Sequence, residues 1–583
     1  MSKNRTYLAI FLLIGIFAGL SFYRANLVDA IFSETNRCVG CLNAAAVISD
    51  AWLLAGFIGL LAIPLLAGRR MISLLAAILS LFIMLAFVID LWLTRLLSMH
   101  LRWGDLVHYA PNLEGNFSVL LPALKTASGM LLAIASLSLL LFSVRVHFVD
   151  QARRKTAFVL SGIATIMFGI LFMAPKLFYV GQPQLNVFAF NAVQQGMTAA
   201  YSEQFVSGQA ALEIPKLQCE RIAPNRPSVI LLVLESWSSY HSQLFSGLNN
   251  QTPQLDSWAR RGSYFPDFIA NGFSTEGGLI SAMTGYVPIP TAGDRMGVSV
   301  FKDVKGDFHR RIADAGYRTY FFTSGSLDFV HRDKWLQSIG VQQSEGANHA
   351  FYVGLPRGVF QAAADPYLFK RVENWYRTER PESPFIATVL TVGTHPPFID
   401  PVNNERSERK RFSELDKAAG QFIEQLQASG YFENGLLVVM GDHRTMVPVS
   451  QKERDRFGDL ALAKVPAFVL GKSGLPKGEI RGVYQQTDLI PSLQAILLGE
   501  SCRNKLQGRM LGVNPEPAKY ALYSNSVQWN TLQVISAGQT FSLVLSGDRT
   551  AWSGPQPEDA EALLVQINRE RIARMLARPI EPN

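Results

Sequence analysis

Four side chains suited to metal-assisted group transfer stand at the ends of apolar runs or in a tight turn. The run Leu436-Leu437-Val438-Val439-Met440-Gly441 ends in Asp442-His443, and Val229-Ile230-Leu231-Leu232-Val233-Leu234 ends in Glu235. Thr275 lies in the turn Phe273-Ser274-Thr275-Glu276-Gly277-Gly278. Two carboxylates, an imidazole and a hydroxyl can converge on one divalent cation, with the hydroxyl as nucleophile. That is the chemistry of phosphoryl or sulfuryl transfer. Taken singly, Glu235 reads as a helix-terminal acid, Thr275 as a turn residue and Asp442-His443 as a surface turn. Only the set, with its shared strand-end placement, points to a metal.

The elements that must position these groups follow from hydrophobic patterning. From Ser228 onward, apolar β-prone runs at Val229–Leu234, Thr319–Thr323, Phe385–Thr391, Leu436–Met440 and Ala467–Leu470 alternate with helix-period segments. Those segments are Phe308–Ala315, Arg411–Ser429 and Thr487–Leu498. The pattern predicts an α/β domain with a mainly parallel central sheet covered on both faces. In such sheets functional groups gather beyond the carboxyl ends of strands, where Glu235 and Asp442-His443 fall. Runs at Tyr520–Tyr523, Leu532–Ile535 and Phe541–Leu545 predict a small antiparallel C-terminal sheet.

The first part of the 583-residue chain has a different character. Five apolar stretches, Tyr7–Tyr23, Ala51–Gly68, Met71–Leu93, Thr126–Val144 and Ala157–Pro175, are each long enough to cross a hydrocarbon core of about 30 Å. Residues 1–176 therefore read as a five-helix transmembrane domain, 177–227 as a juxtamembrane connector and 228–583 as the catalytic domain. Lys3 and Arg5 could form the basic start of a signal peptide, but four further spans favour a retained helix. Basic residues at Lys3 and Arg5, at Arg69 and Arg70, and at Arg145, Arg153, Arg154 and Lys155 place those ends inside. Five crossings then leave the catalytic domain outside the cell membrane. Asp90, near the outer end of the third span, reads either as a functional acid or as a solvated one.

The four cysteines fall only in segments expected to face out, where an oxidising compartment would allow Cys38–Cys41 and Cys219–Cys502 disulfides. The net charge of +8 suits an anionic lipid surface, and no Lys/Arg-rich tract supports nucleic-acid binding.

From Ser228 to Leu498 the sequence resembles the lipoteichoic acid synthase-like, phosphoglycerol transferase branch of the alkaline phosphatase/sulfatase superfamily. The matching text is Val229 through Glu235-Ser236, Gln251-Thr252-Pro253-Gln254-Leu255-Asp256 and Phe273 through Gly278. It continues with Gly393-Thr394-His395-Pro396-Pro397-Phe398, Gly441-Asp442-His443 and Thr487-Asp488-Leu489-Ile490-Pro491-Ser492.

By that resemblance, Glu235, Thr275, Asp442 and His443 bind one Mn²⁺, Zn²⁺ or Mg²⁺, and Thr275 attacks phosphorus. His395 matches a substrate-side histidine, and Arg332 an arginine that contacts phosphate. The resemblance implies a phospholipid donor, phosphatidylglycerol or phosphatidylethanolamine, and an envelope glycan or glycolipid acceptor. Glu235-Ser236-Trp237 follows the phosphoglycerol pattern rather than the Glu-Thr-Arg of phosphoethanolamine transferases. Two departures bear on the acceptor or head group: Val330 stands where some relatives have an aromatic residue, and a family histidine has no counterpart near Ser324. A sulfatase would need a Cys or Ser in a Cys/Ser-x-Pro-x-Arg signature, which Thr275-Glu276-Gly277-Gly278-Leu279 does not offer. A phosphodiesterase and a catalytically silent lipid-binding regulator remain as alternatives. His241, His309, His331 and His349 are expected to be structural.

Overall fold

A backbone surrounded by lipid must hydrogen-bond to itself, so long apolar runs with few charges fold as helices. The computed structural model describes residues 3–32, 41–67, 70–97, 100–101, 103, 124, 126–145, 162–164, 166, 185–197, 202–211, 218–288, 308–396, 398–403, 405–447, 449–503, 506–524, 531–546 and 548–576. They fall into two compact units, 1–106 with 123–196, and 107–122 with 197–583.

The first unit contains helices α1 (Lys3–Phe32), α2 (Cys41–Ala67), α3 (Arg70–Leu97) and α4 (Ala127–Arg145). Among the described residues, four helical windows are long and apolar enough to cross a membrane: Ile10–Asp29, Asn43–Leu60, Met71–Leu96 and Ala127–Val144. Most of the expected fifth span, Ala157–Pro175, lies outside the described residues. The first two helices outrun the spans expected from sequence, for one reason. The expected spans end at Tyr23 and begin at Ala51, next to Arg24 and Asp50, charges that are costly alone in lipid. The fold instead buries the two charges against each other. Arg24 donates from Nε to Asp50 Oδ2 at 3.0 Å and from Nη2 to Oδ1 at 2.8 Å, and the Ser21 hydroxyl adds a third bond at 2.8 Å.

Asp90 is buried rather than solvated, contacting His100 Nδ1 at 3.1 Å and accepting from the Leu101 amide at 2.7 Å. Part of the expected connector belongs to this unit as well. Helix Val187–Met197 buries Val187 and Phe190, and Asn191 Nδ2 donates to the Leu101 carbonyl at 2.8 Å.

The second unit is built on strands β1 (Gln218–Arg221), β2 (Ser228–Leu234), β3 (Ser263–Tyr264), β4 (Phe268–Ile269), β5 (Arg318–Thr323), β6 (Gln343–Glu345), β7 (Phe385–Leu390), β8 (Gly435–Gly441), β9 (Ala467–Gly471), β10 (Gly478–Glu479), β11 (Tyr484–Gln485) and β12 (Glu500–Arg503). The central sheet has the order β10-β3-β9-β8-β2-β7-β5-β6. Alternate residues of β2 enter different cores: Val229, Leu231 and Val233 pack with Leu279 and Met440 on one face, while Ile230, Leu232 and Leu234 pack with Phe412 and Leu368 on the other. Burial on both faces explains why these strands are continuously apolar.

The sheet is mixed. The run β8-β2-β7-β5-β6 is parallel throughout, whereas β9 runs antiparallel to both β8 and β3. A continuous apolar run reports that a strand is covered on both sides; it does not encode direction. Because β2 lies between β7 and β8, connections leave it toward both sides, and at such a point functional groups gather beyond the carboxyl ends of the strands.

A second sheet, β13 (Ala521–Ser524), β14 (Thr531–Ser536), β15 (Gln539–Ser546) and β16 (Arg549–Ser553), is antiparallel throughout. Strands β1 and β12 pair antiparallel with Cys219 directly opposite Cys502, and Cys502 is disulfide-bonded. Cys38 lies outside the described residues.

Candidate metal centre and nucleophile

Three segments converge at the carboxyl end of the parallel run. Strand β2 delivers Glu235, whose amide donates to Thr391 Oγ1 at 2.8 Å and whose carbonyl accepts from Thr394 Oγ1 at 2.5 Å. Both partners lie just beyond β7, so the neighbouring strand fixes the turn. Strand β8 delivers Asp442 and His443. Thr275 arrives at the start of helix Thr275–Thr284, whose N-cap Ser274 accepts from the Gly277 amide at 3.3 Å. This helix packs directly on the strand end: a Cβ on Gly278 would lie 2.3 Å from the Asp442 carbonyl oxygen. Glycine is required there by close approach.

Thr275 Oγ1 donates to Glu235 Oε2 at 3.0 Å and lies 3.5 Å from His443 Nε2. His443 Nε2 is in turn 3.4 Å from Glu235 Oε1 and 3.4 Å from Asp442 Oδ2. The other ring nitrogen, Nδ1, faces the Arg444 carbonyl at 2.8 Å. With Nδ1 carrying the proton, Nε2 offers its lone pair to the cluster, the usual way a metal-binding imidazole is oriented.

All four groups are buried. Burial pushes the Asp442 carboxyl well above the usual carboxylate range, and Glu235 alongside adds to the rise. Burial acts in the same sense on Glu235, but hydrogen bonding to His443 and the charges of His395 and His443 outweigh it and hold that acid low. Burial also works against a charged His443, yet Asp442 and Glu235 together raise it. Two acids therefore compete for one imidazolium. Asp442 Oδ2 has no hydrogen-bond partner although it is inaccessible to solvent.

Such an orphaned buried carboxyl oxygen is costly unless a proton or a cation meets it. Ligand atoms of Glu235, Asp442 and His443 all lie within 4.8 Å of one another. Oxygen donors plus one imidazole fit a divalent ion without choosing among Mn²⁺, Zn²⁺ and Mg²⁺.

The other two expected site residues, His395 and Arg332, lie within electrostatic reach of the cluster. His395, buried on the loop after β7, stands edge-on to Phe360 at 4.9 Å, and its charge reaches Glu235. Arg332 is buried 3.7 Å from Glu276, with Nε unpartnered and its charge felt by Glu276, Glu235 and Asp442. The two residues before it, Val330 and His331, both adopt left-handed backbone with φ of 53°. Such strain collects at functional turns. Ser324 is buried and donates to the Ala363 carbonyl at 2.7 Å, so it acts within the fold.

Residues 227–499 match the family model described as Sulfatase. Phosphoglycerol transferase I of Xanthomonas euvesicatoria pv. vesicatoria is 25% identical over 460 residues, covering 73% of this chain and 61% of that protein. Its counterpart from Xanthomonas campestris pv. campestris (strain B100) is 25% identical over 315 residues, covering 49% and 42%. The chain thus spans about three fifths or less of these curated relatives. The chain is thus similar to the sulfatase family over residues 227–499 and, more distantly, to proteins named phosphoglycerol transferase I. Among solved structures, a Vibrio parahaemolyticus protein of the alkaline phosphatase superfamily is 17% identical, with TM-score 0.48 over 66% of this chain and 95% of that one. The lipoteichoic acid synthase LtaP from Listeria monocytogenes is also 17% identical, with TM-score 0.44 over 64% and 96%.

Sequence reasoning missed the residues that hold the strand ends in this domain. Gln486 Nε2 donates to the Asp442 carbonyl at 2.6 Å and to the Gly441 carbonyl at 3.0 Å. Arg444 makes a buried two-pronged pair with Glu453 just beyond His443. Neither residue type signals such a role by itself. The remaining histidines stay outside the cluster: His241 contacts Glu408 at 3.0 Å and stacks on Phe412, and His349 caps a short turn by accepting from Phe351.

Proposed function

We propose that this chain transfers a phosphoglycerol head group from a membrane phospholipid to an envelope glycan or glycolipid, through a phosphothreonine on Thr275. The observation that carries this reading is the Thr275 hydroxyl, bonded to Glu235 and adjoining His443 at the first turn of a buried helix. Its proton points at a carboxylate held in the anionic form, leaving an oxygen lone pair to attack phosphorus. Amide groups of the helix N-terminus and the Arg332 guanidinium are suited to the phosphoryl oxygens. A divalent cation held by Glu235, Thr275, Asp442 and His443 would lower the hydroxyl pKa and neutralise phosphoryl charge.

In the first half-reaction the Thr275 proton passes to Glu235, to which the hydroxyl donates, the Oγ–P bond forms and the bond from phosphorus to the diacylglycerol oxygen breaks, with His395 protonating that oxygen. In the second, His395 takes the proton of an acceptor hydroxyl, the acceptor oxygen bonds phosphorus and Thr275 is released. The apolar helices hold the domain beside its lipid donor at high effective concentration. Phosphoglycerol is favoured over phosphoethanolamine by Glu235-Ser236-Trp237 and by the phosphoglycerol transferase relatives.

The test is to incubate the full chain and Mn²⁺ with head-group-labelled phosphatidylglycerol or phosphatidylethanolamine, and envelope extract as acceptor. Label from phosphatidylglycerol on a glycan or glycolipid is expected. Label recovered only as free glycerol phosphate would make the protein a phosphodiesterase instead.

A further inference from the structure

The turn leaving β2 carries a conformation that serine rarely adopts. Ser236 has φ of 57° and is fully buried. A non-glycine residue in the left-handed region is strained, and it persists where its surroundings over-determine it. All three polar groups of Ser236 are committed. Its amide donates to Asp442 Oδ1 at 2.7 Å, and its hydroxyl donates to Glu235 Oε1 at 2.8 Å. Its carbonyl accepts from Ser238 Oγ at 3.0 Å, and that same Oγ accepts from the Thr445 amide at 2.8 Å. One residue therefore ties together the segments leaving β2 and β8.

These bonds divide each carboxylate into a held and a presented oxygen. Asp442 Oδ1 takes the Ser236 amide and also the His443 amide at 2.7 Å, which leaves Oδ2 without a partner and 3.4 Å from His443 Nε2. Glu235 Oε1 takes the Ser236 hydroxyl while lying 3.4 Å from His443 Nε2, which leaves Oε2 facing Thr275 Oγ1 at 3.0 Å. We propose that Ser236 is the positioning residue of the centre, fixing by hydrogen bonds to both carboxylates which oxygen of each meets the cation and the nucleophile. This rests on the metal-centre reading above and adds to it a residue outside the ligand set.

Glycine and alanine variants separate this role from a merely structural one. Glycine relieves the left-handed backbone and keeps the amide, but removes the hydroxyl. If Ser236 served only the turn, Ser236→Gly would be neutral or stabilising and would bind metal normally. The experiment is Mn²⁺ titration calorimetry and thermal unfolding in EDTA on the full chain in detergent, for wild type, Ser236→Gly and Ser236→Ala.

The expected result is a Tm in EDTA for Ser236→Gly at or above wild type, with Mn²⁺ affinity about 10-fold or more weaker. Ser236→Ala, which keeps the backbone strain, should weaken Mn²⁺ to a similar degree with a slightly lower Tm. Wild-type Mn²⁺ affinity in whichever variant folds would overturn the inference while leaving the centre standing. Failure of the wild-type protein to bind Mn²⁺ or Zn²⁺ would overturn the metal centre and the inference together.

Discussion

Among the buried acids of the described residues, Asp50 and the Glu235–Asp442 pair meet the same electrostatic problem in opposite ways. In the membrane unit Asp50 receives two guanidinium bonds from Arg24 and one hydroxyl bond from Ser21, so its charge is matched within the fold. In the second unit Glu235 and Asp442 face a single imidazole, and one oxygen of Asp442 has no hydrogen-bond partner. A matched pair in a low dielectric is a structural clasp, costly to break but chemically idle. An unmatched pair raises the energy of the protein alone and lowers it when a cation arrives. The difference separates scaffold from reaction centre better than burial does, since both clusters are buried.

The largest effect that could break this contrast is at the nucleophile. Thr275→Ala should reduce diacylglycerol release from labelled phosphatidylglycerol by about 10⁴-fold or more, as loss of a nucleophile does elsewhere. Three of the four cation-binding groups remain, so Mn²⁺ should still bind in calorimetry. Next, Arg24→Met leaves Asp50 buried and unpaired, and should cost about 3–5 kcal/mol in unfolding measured in detergent. Arg24→Met/Asp50→Leu should recover most of that loss. An additive double variant would mean that the clasp is not a pair.

At the other cluster the same kind of substitution should act with the opposite sign. Asp442→Asn keeps an oxygen for the Ser236 and His443 amides and removes the unmatched charge. Its Tm in EDTA should equal or exceed wild type, while Mn²⁺ affinity falls on the order of 10²-fold. A large drop of Tm in EDTA would place Asp442 with Asp50 as a structural acid.

The smallest effect concerns a third buried group. Burial pulls His309 down to about 4, with only the Met283 backbone opposing. A depressed imidazole stabilises the fold above its unfolded value of 6.5, and that contribution is lost as pH falls toward about 4. Between pH 7.5 and pH 4.5, His309→Leu should lose less stability than wild type, by at most about 3 kcal/mol, in parallel urea unfolding curves.

Much of the centre was legible because strand ends are. A continuous apolar run terminating in Glu235, or in Asp442-His443, announces both a doubly covered strand and the group it delivers. What stayed hidden depends on tertiary geometry. The left-handed turn at Ser236 is not written in a serine, and Gln486 reaches the Asp442 carbonyl from 44 positions away. The Arg24–Asp50 clasp joins residues 26 apart, so each looked like the end of a span. Strand β9 was visible, but its reversed direction was not, because burial pattern carries no polarity.

The central claim is that Thr275 becomes covalently loaded. Wild-type protein mixed with head-group-labelled phosphatidylglycerol and Mn²⁺, quenched in acid without acceptor and digested, can be read by peptide mass spectrometry. The expected result is a glycerophosphoryl group on the peptide containing Thr275, absent when EDTA replaces Mn²⁺ and lost again when acceptor is added before the quench. Diacylglycerol release with Thr275 unmodified, or label carried by a different residue, would contradict the account.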